Sequence, residues 1–421
     1  MTPRRRGWPR RGLWLHRDFL LLWSAQGVSA IGSRITRTAL PMAAILVAGA
    51  GAFELGLLAV ALTAPRALVA WFAGGWVDRH GRRSLLIATD LVRAVALLTI
   101  PAAAFAGKLS LPLLYAVAVI TGVATVLFEI ADHVFITDLV PRKRLQDANG
   151  KREAVDAVAE ISGPAIGGAL VAWLTAPLAI AADAATFVVS ALLVGRIRKR
   201  ETVTPPATTP SYAEDVRTGI RVVWRDPAIR ALFVATATMT LFGSFMASLY
   251  TLYALSDLGL SPTQLGIAIG CGGIGGFAGA ALARPTVKRL GMRRTLIGTM
   301  LAGAVLQVLI PLAPAVPWIA MTFLIVTQVF GDGVLTIYLI SETTLRQSLL
   351  PPAALGRAAA TWQVASGVLT PTGAILGAVL AETIGMRPTL WLLALGMLLA
   401  AASLIAARRA LPEALPPITM R

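Results

Sequence analysis

The sequence predicts an all-α polytopic membrane protein of 12 transmembrane helices, arranged as two pseudo-symmetric six-helix bundles with both termini cytoplasmic. Three observations lead there. Hydrophobic residues make up 56% of the 421 positions and charged residues only 14%, against about 25% charged in an ordinary soluble domain. Hydropathy resolves into about twelve apolar stretches of roughly 18–29 residues, each long enough to span a bilayer as a helix. The second half of the chain also repeats the first at a constant offset of 210 residues.

The apolar stretches lie near 19–47, 55–76, 85–106, 111–137, 154–174, 177–195, 228–255, 263–283, 295–312, 316–340, 357–383 and 388–406. A β-barrel would instead show short alternating segments. Basic residues sort themselves between these stretches. Of the 38 lysines and arginines, 32 fall before the first span or in every second connection and the tail, from Arg4 to Arg421. The opposite connections carry only Lys108 and Arg387. By the positive-inside rule the basic side is cytoplasmic. The arginines ahead of the first span superficially resemble a secretory signal, but the apolar stretch is too long and lacks a small-residue cleavage site, so a retained helix is expected. The net charge of +17 is thereby absorbed into loops facing lipid headgroups, which argues against a nucleic-acid partner.

In the repeat, Leu55-Gly56 recurs as Leu265-Gly266, and Gly81, Arg83 and Leu86 recur as Gly291, Arg293 and Leu296. Pro141 and Leu145 return as Pro351 and Leu355; Gly163, Gly167 and Leu170 return as Gly373, Gly377 and Leu380. Because six spans is an even number, the halves are parallel. The expected organisation is a basic N-terminus (1–18), a first bundle (19–195), a cytoplasmic linker (196–227), a second bundle (228–406) and a tail (407–421). Two parallel six-helix halves are the arrangement of alternating-access carriers, with the substrate site near the midplane between them.

Other functional classes find little support. A single cysteine, Cys271, excludes a disulfide scaffold and a cysteine-only zinc site. The three histidines are too scattered for a metal motif, so neither metal nor cofactor is expected. Gly150-Lys151 lacks the first glycine and the Ser/Thr of a phosphate-binding loop. Without a nucleotide motor, energy comes from an ion gradient, from the substrate's own gradient, or from a separate subunit. A membrane-embedded enzyme would place catalytic groups in its long loop, and 196–226 is basic and bland.

Two motifs carry a family resemblance. Gly74-Gly75-Trp76-Val77-Asp78-Arg79-His80-Gly81-Arg82-Arg83 lies between spans two and three. It resembles the signature loop of the major facilitator superfamily, G-x-x-x-D-R-x-G-R-[RK]. Gly74 admits a neighbouring helix, Gly81 a tight turn, and Asp78 can pair with arginines. The resemblance implies a conformational latch built from Gly74, Asp78, Arg79, Gly81, Arg82 and Arg83. Asp90 and Arg93 are grouped with it, although an i,i+3 pair can also satisfy itself. A basic loop serving topology alone is the plain alternative. Gly163-Pro164-Ala165-Ile166-Gly167-Gly168 in span five is similar to the motif associated with antiporters in that superfamily, although ordinary small-residue packing would look alike. Leu15-His16-Arg17-Asp18-Phe19, Asp138-Leu139-Val140-Pro141 and Leu355-Gly356-Arg357 resemble the drug/proton antiporter branch, which includes macrolide-efflux and enterobactin-exporter proteins.

Ionisable side chains inside spans are costly and usually face the bundle interior. Glu129, Asp132 and His133 sit at i, i+3 and i+4 of span four, and Asp132 plus 210 is Glu342. These four are the proton-coupling candidates, since taking a carboxyl group out of water favours its protonated form. A purely structural role in the latch is the alternative for Asp132 and Glu342. Arg34, Arg37, Arg66, Asp183 and Asp332 are the substrate-cavity candidates; Arg34 and Arg37 share a helical face and could meet an anionic group or the carboxylate. The reading is a multi-pass protein of the cytoplasmic membrane, monomeric, exporting a small amphipathic molecule (drug, antibiotic or siderophore) in exchange for protons. Lipid or lysophospholipid transport and proton-coupled uptake are the alternatives on the same fold.

Overall fold

A computed structural model describes residues 13–77, 81–198 and 212–414. Among them the chain is helical throughout. The first half comprises α1 (Arg17–Leu46), α2 (Ala52–Val77), α3 (Arg82–Phe105), α4 (Leu111–Leu139), α5 (Leu145–Trp173) and α6 (Ala176–Gly195). A 14-residue amphipathic helix, α7 (Tyr212–Arg225), precedes the second half. That half comprises α8 (Pro227–Leu252), α9 (Pro262–Leu290), α10 (Met292–Leu312), α11 (Pro317–Leu349), α12 (Pro352–Ile384) and α13 (Met386–Ala406). Ten of the described helices are long and apolar enough to cross a membrane. Bulky apolar side chains such as Val95, Leu192, Phe277 and Trp318 stand on the outer surface, where only lipid makes their exposure favourable.

Helix starts follow capping chemistry. His16 accepts the Phe19 N–H at 3.1 Å ahead of α1. Asp226 accepts from Ala228 and Ile229 ahead of α8. Ser261 and Gln264 form a reciprocal capping box on α9. Hydropathy underestimates several helices. α5 starts at Leu145 rather than near 154, and α11 runs on to Leu349. The extra turns are polar, so they continue the hydrogen-bonded helix without lengthening its apolar stretch. One turn also differs from expectation. Gly81 has φ −60°, open to any residue, whereas its counterpart Gly291 has φ +83°; the glycine is conformationally required in the second copy, not the first.

The repeat extends to packing. α5 lies on α1 as α12 lies on α8, and α6 on α1 and α3 as α13 on α8 and α10. A Cβ on Gly163 would lie 3.1 Å from Arg34 Cγ of α1, and one on Gly373 would lie 2.9 Å from Ser244 Cβ of α8. The halves meet chiefly through two crossed pairs, α5 with α9 and α2 with α12, with a smaller contact of α2 on α8.

How the halves meet differs at the two ends. At the end away from the basic loops one buried core contains residues of both, including Leu55, Leu58 and Ala184 beside Tyr253, Leu265 and Leu324. At the basic end the described residues form two separate cores. One, around Phe19, Leu86 and Phe135, belongs to the first half, and the other, around Leu232, Leu296 and Leu345, to the second. Among the described residues the bundle is therefore sealed at one end and divided at the other.

Candidate transport site between the halves

The seal is built on small residues. On α9, Gly266, Gly270 and Gly273 face α5 and Gly272, Gly275 and Gly279 face α11, so both neighbours approach its bare backbone. A Cβ on Gly168 would come within 2.9 Å of Gly266 Cα, and one on Gly270 within 2.6 Å of the Ile161 carbonyl oxygen. The α2–α12 pair is similar: a Cβ on Gly56 would lie 2.6 Å from Ala378 Cβ. There Glu382 of α12 also accepts the Phe53 N–H at 3.1 Å, so a carboxylate of one half caps a helix of the other. The Gly163–Gly168 stretch thus serves two contacts, Gly163 and Gly167 against α1 and Gly168 across the divide.

Where the seal ends, charges collect. Arg34 and Arg37 both bind Glu160 of α5, Arg34 at 2.8 Å and Arg37 in a second, short ion pair. Glu160 was not among the residues singled out from the sequence. Asp332 of α11 lies within electrostatic range of Glu160 and Arg37, from the other half. Its carboxyl group packs onto α9 at Gly272, where a Cβ would lie 3.3 Å from Asp332 Cγ. It also lines a cavity of about 30 Å³ within the second half, with Gln307, Tyr338, Met239, Met300 and Met397. That is room for one or two water molecules.

The remaining candidates lie elsewhere. Asp132 is buried and bound by Arg152 of α5 at 2.9 Å and by the Gln26 amide of α1. Glu342 is buried 3.7 Å from Arg346 on its own helix. Both belong to the basic-end cores, and their partners are Arg152 and Arg346, so Asp132 does not engage Arg82. Glu129 is half-buried and interacts electrostatically with Arg34 and Arg93. His133 is exposed while Asp132 is buried, because consecutive helical residues point about 100° apart. Of the three, only Asp132 is buried.

Asp183 is a second departure. It sits on α6, inside the first half rather than between the halves, beside Gly32 and accepting from the Thr186 hydroxyl at 3.0 Å. Asp90 and Arg93 are its neighbours, paired with each other at 2.5 Å and almost wholly buried. The Arg93 guanidinium lies over the rings of Phe128 and Phe187, 4.5 and 4.1 Å from their centroids. This group ties α3 to α4 and α6.

Of that loop, Gly81 precedes α3, Arg82 pairs with Asp138 of α4 at 2.5 Å, and Arg83 donates to the Val194 and Gly195 carbonyls closing α6. Gly74 lies in α2; Asp78, Arg79 and the Arg66 side chain lie outside the described residues.

Residues 22–344 match the family model described as Major Facilitator Superfamily. The chain belongs to the major facilitator superfamily. It is a multi-pass transporter and not an enzyme, and its relatives include efflux pumps. It is 27% identical over 389 residues to the multidrug efflux pump Tap of Mycolicibacterium fortuitum, covering 90% of this chain and 93% of the pump. It is 24% identical over 386 residues to macrolide efflux protein A of Streptococcus pyogenes, with 90% and 93% covered. Among solved structures, a bacterial homologue of the iron transporter ferroportin in an inward-facing state superposes with TM-score 0.73 at 17% identity, over 94% of this chain and all of that one. A nucleoside transporter gives 0.75 at 12% identity, with 93% and 98% covered. At such identities the superposition speaks for the fold alone.

Proposed function

We propose that this chain exports a small amphipathic molecule (a drug, antibiotic or siderophore) across the cytoplasmic membrane by alternating access, in exchange for protons. The observation that carries the reading is the uneven join of the halves, with one shared core at one end and two cores at the other. With the basic loops cytoplasmic, the sealed end is external and the molecule is open to the cytoplasm, the state from which an exporter loads. The arginines and carboxylates where the halves part (Arg34, Arg37, Glu129, Glu160 and Asp332) form the coupling site, and protons exchange there. The exporter reading is supported by the Tap-like and macrolide-efflux relatives and by the Gly163–Gly168 stretch. Twelve spans, cytoplasmic termini and a monomer that needs only lipid around it complete the proposal.

Expression in an efflux-deficient bacterium tests export. Accumulation of at least one compound from a panel of macrolides, tetracyclines, lipophilic cations and catecholate siderophores should fall, and recover when a protonophore collapses the proton gradient. Unchanged accumulation over the whole panel refutes export of these classes. Lowered accumulation that survives the protonophore refutes proton exchange.

A further inference from the structure

Asp332 occupies an unusual position among the charges between the halves. In the described residues it has no hydrogen bond or ion pair, while Arg34 and Arg37 are both held by Glu160. Two further polar atoms nearby are buried without a partner, the Gln307 side-chain oxygen in the same cavity and the Tyr250 hydroxyl within electrostatic range of Asp332. The wall between the two carboxylates is thin. Ile161, next to Glu160, rests on Gly273, and Asp332 rests on the adjacent Gly272. α9, packed against both α5 and α11, is the element they share.

We propose that Asp332 is the proton-carrying residue, and that Arg37 passes between Glu160 and Asp332 as its charge changes. This rests on the proton-exchange reading above and assigns the role that sequence gave to Glu129 and Asp132. A carboxyl group out of water either holds a proton or needs a cation. In the cytoplasm-open state Glu160 holds Arg37, within its own half, and Asp332 keeps its proton. When that proton leaves to the cytoplasm, the bare carboxylate draws Arg37 across. The Arg37–Asp332 pair then joins α1 to α11 on the divided side, which favours closure there and opening of the seal. With substrate carried out in that state, a proton arriving from outside returns Arg37 to Glu160, so that a proton enters as substrate leaves.

The groups facing Asp332 are consistent with this exchange. They are Tyr250 from α8, Gln307 from α10, Tyr338 on α11 itself, and Glu160 and Arg37 from the first half, with Cys271 of α9 beside Tyr250 and Glu342 beside Tyr338. Arg37 is the one cation acting on Asp332 among the described residues. It is also exposed enough to move, with 52% of its side-chain surface accessible. The Asp332 counterpart in the first half is Gly122, so the device is asymmetric, with the cation on one half and the proton carrier on the other.

Spin labels at Thr137 and Thr344, exposed near the basic ends of α4 and α11, report closure in a Cys271→Ser background in nanodiscs. Pulsed-EPR distances should shorten as pH rises from about 5.5 to about 8.5. Asp332→Asn should hold the long distance at every pH. Asp332→Glu, which keeps the carboxyl group, should retain the response and shows that the site tolerates change. Glu160→Gln, by freeing Arg37, should move closure to lower pH. A wild-type response in Asp332→Asn that disappears in Glu129→Gln overturns the assignment and leaves proton exchange standing. No pH response in the unsubstituted protein overturns both.

Discussion

Gly168→Ala puts one methyl group into the seal between the halves. The new Cβ would meet Gly266 Cα at 2.9 Å and the Pro262 carbonyl of α9. Both are backbone atoms, so no rotamer change relieves the overlap and α5 must move away from α9. Overpacking of this kind costs about 1–3 kcal/mol, borne only by the state in which the two helices touch. The helix-propensity gain of Ala over Gly, about 1 kcal/mol, is common to both states and cancels. The equilibrium should therefore shift about 5- to 150-fold toward the state open at the seal. Labels at the exposed loop positions Lys108 and Val316, one on each half beside the seal, read that shift as a growing long-distance population. Gly150→Ala, where a Cβ meets nothing within 4 Å, is the control and should leave the distances unchanged. If Gly168→Ala gives the same distance distribution as the control, α5 and α9 do not part during the cycle and the sealed-end reasoning fails.

Other perturbations separate structural from transporting charges. Arg93→Met should cost about 3–5 kcal/mol in thermal unfolding, because it leaves buried carboxylates without their cation; Asp90→Asn with Arg93→Met should cost less than the sum of the two, and additivity would refute the pairing. Asp132→Ala should lower the melting temperature more than Glu342→Ala, since Arg152 loses a 2.9 Å partner and Arg346 only a 3.7 Å one; the reverse order would contradict the placement in the basic-end cores. Glu160→Gln should keep the melting temperature within a few degrees, because the pair is partly solvated, yet lower substrate export at least tenfold. Full export in that variant would remove Glu160 from the site.

Much of the fold is legible in the sequence because a bilayer demands long apolar helices and the repeat fixes their pairing. The Gly163/Gly373 register, read as aligned letters, becomes two equivalent helix contacts in space. Glu160 was illegible for a local reason. The first turns of α5 carry Asp147, Lys151, Arg152, Glu153 and Asp156, so one more acid reads as part of a solvated face. Its signal is relational: Glu160 is three residues before Gly163, the glycine that brings α5 onto Arg34, and so it shares that face. Which of Asp132 and His133 is buried, and the distance of Asp183 from the divide, depends on which neighbour each helix face meets. Spacing along one helix cannot supply that.

Proton exchange is tested most directly with purified protein in proteoliposomes, with a trapped dye reporting internal pH under an imposed gradient. Compounds from the panel are added one at a time. At least one should provoke a proton flux that depends on its concentration, and that flux should be lost in Asp332→Asn. Transport of a compound across these membranes with no movement of protons would contradict proton-coupled export.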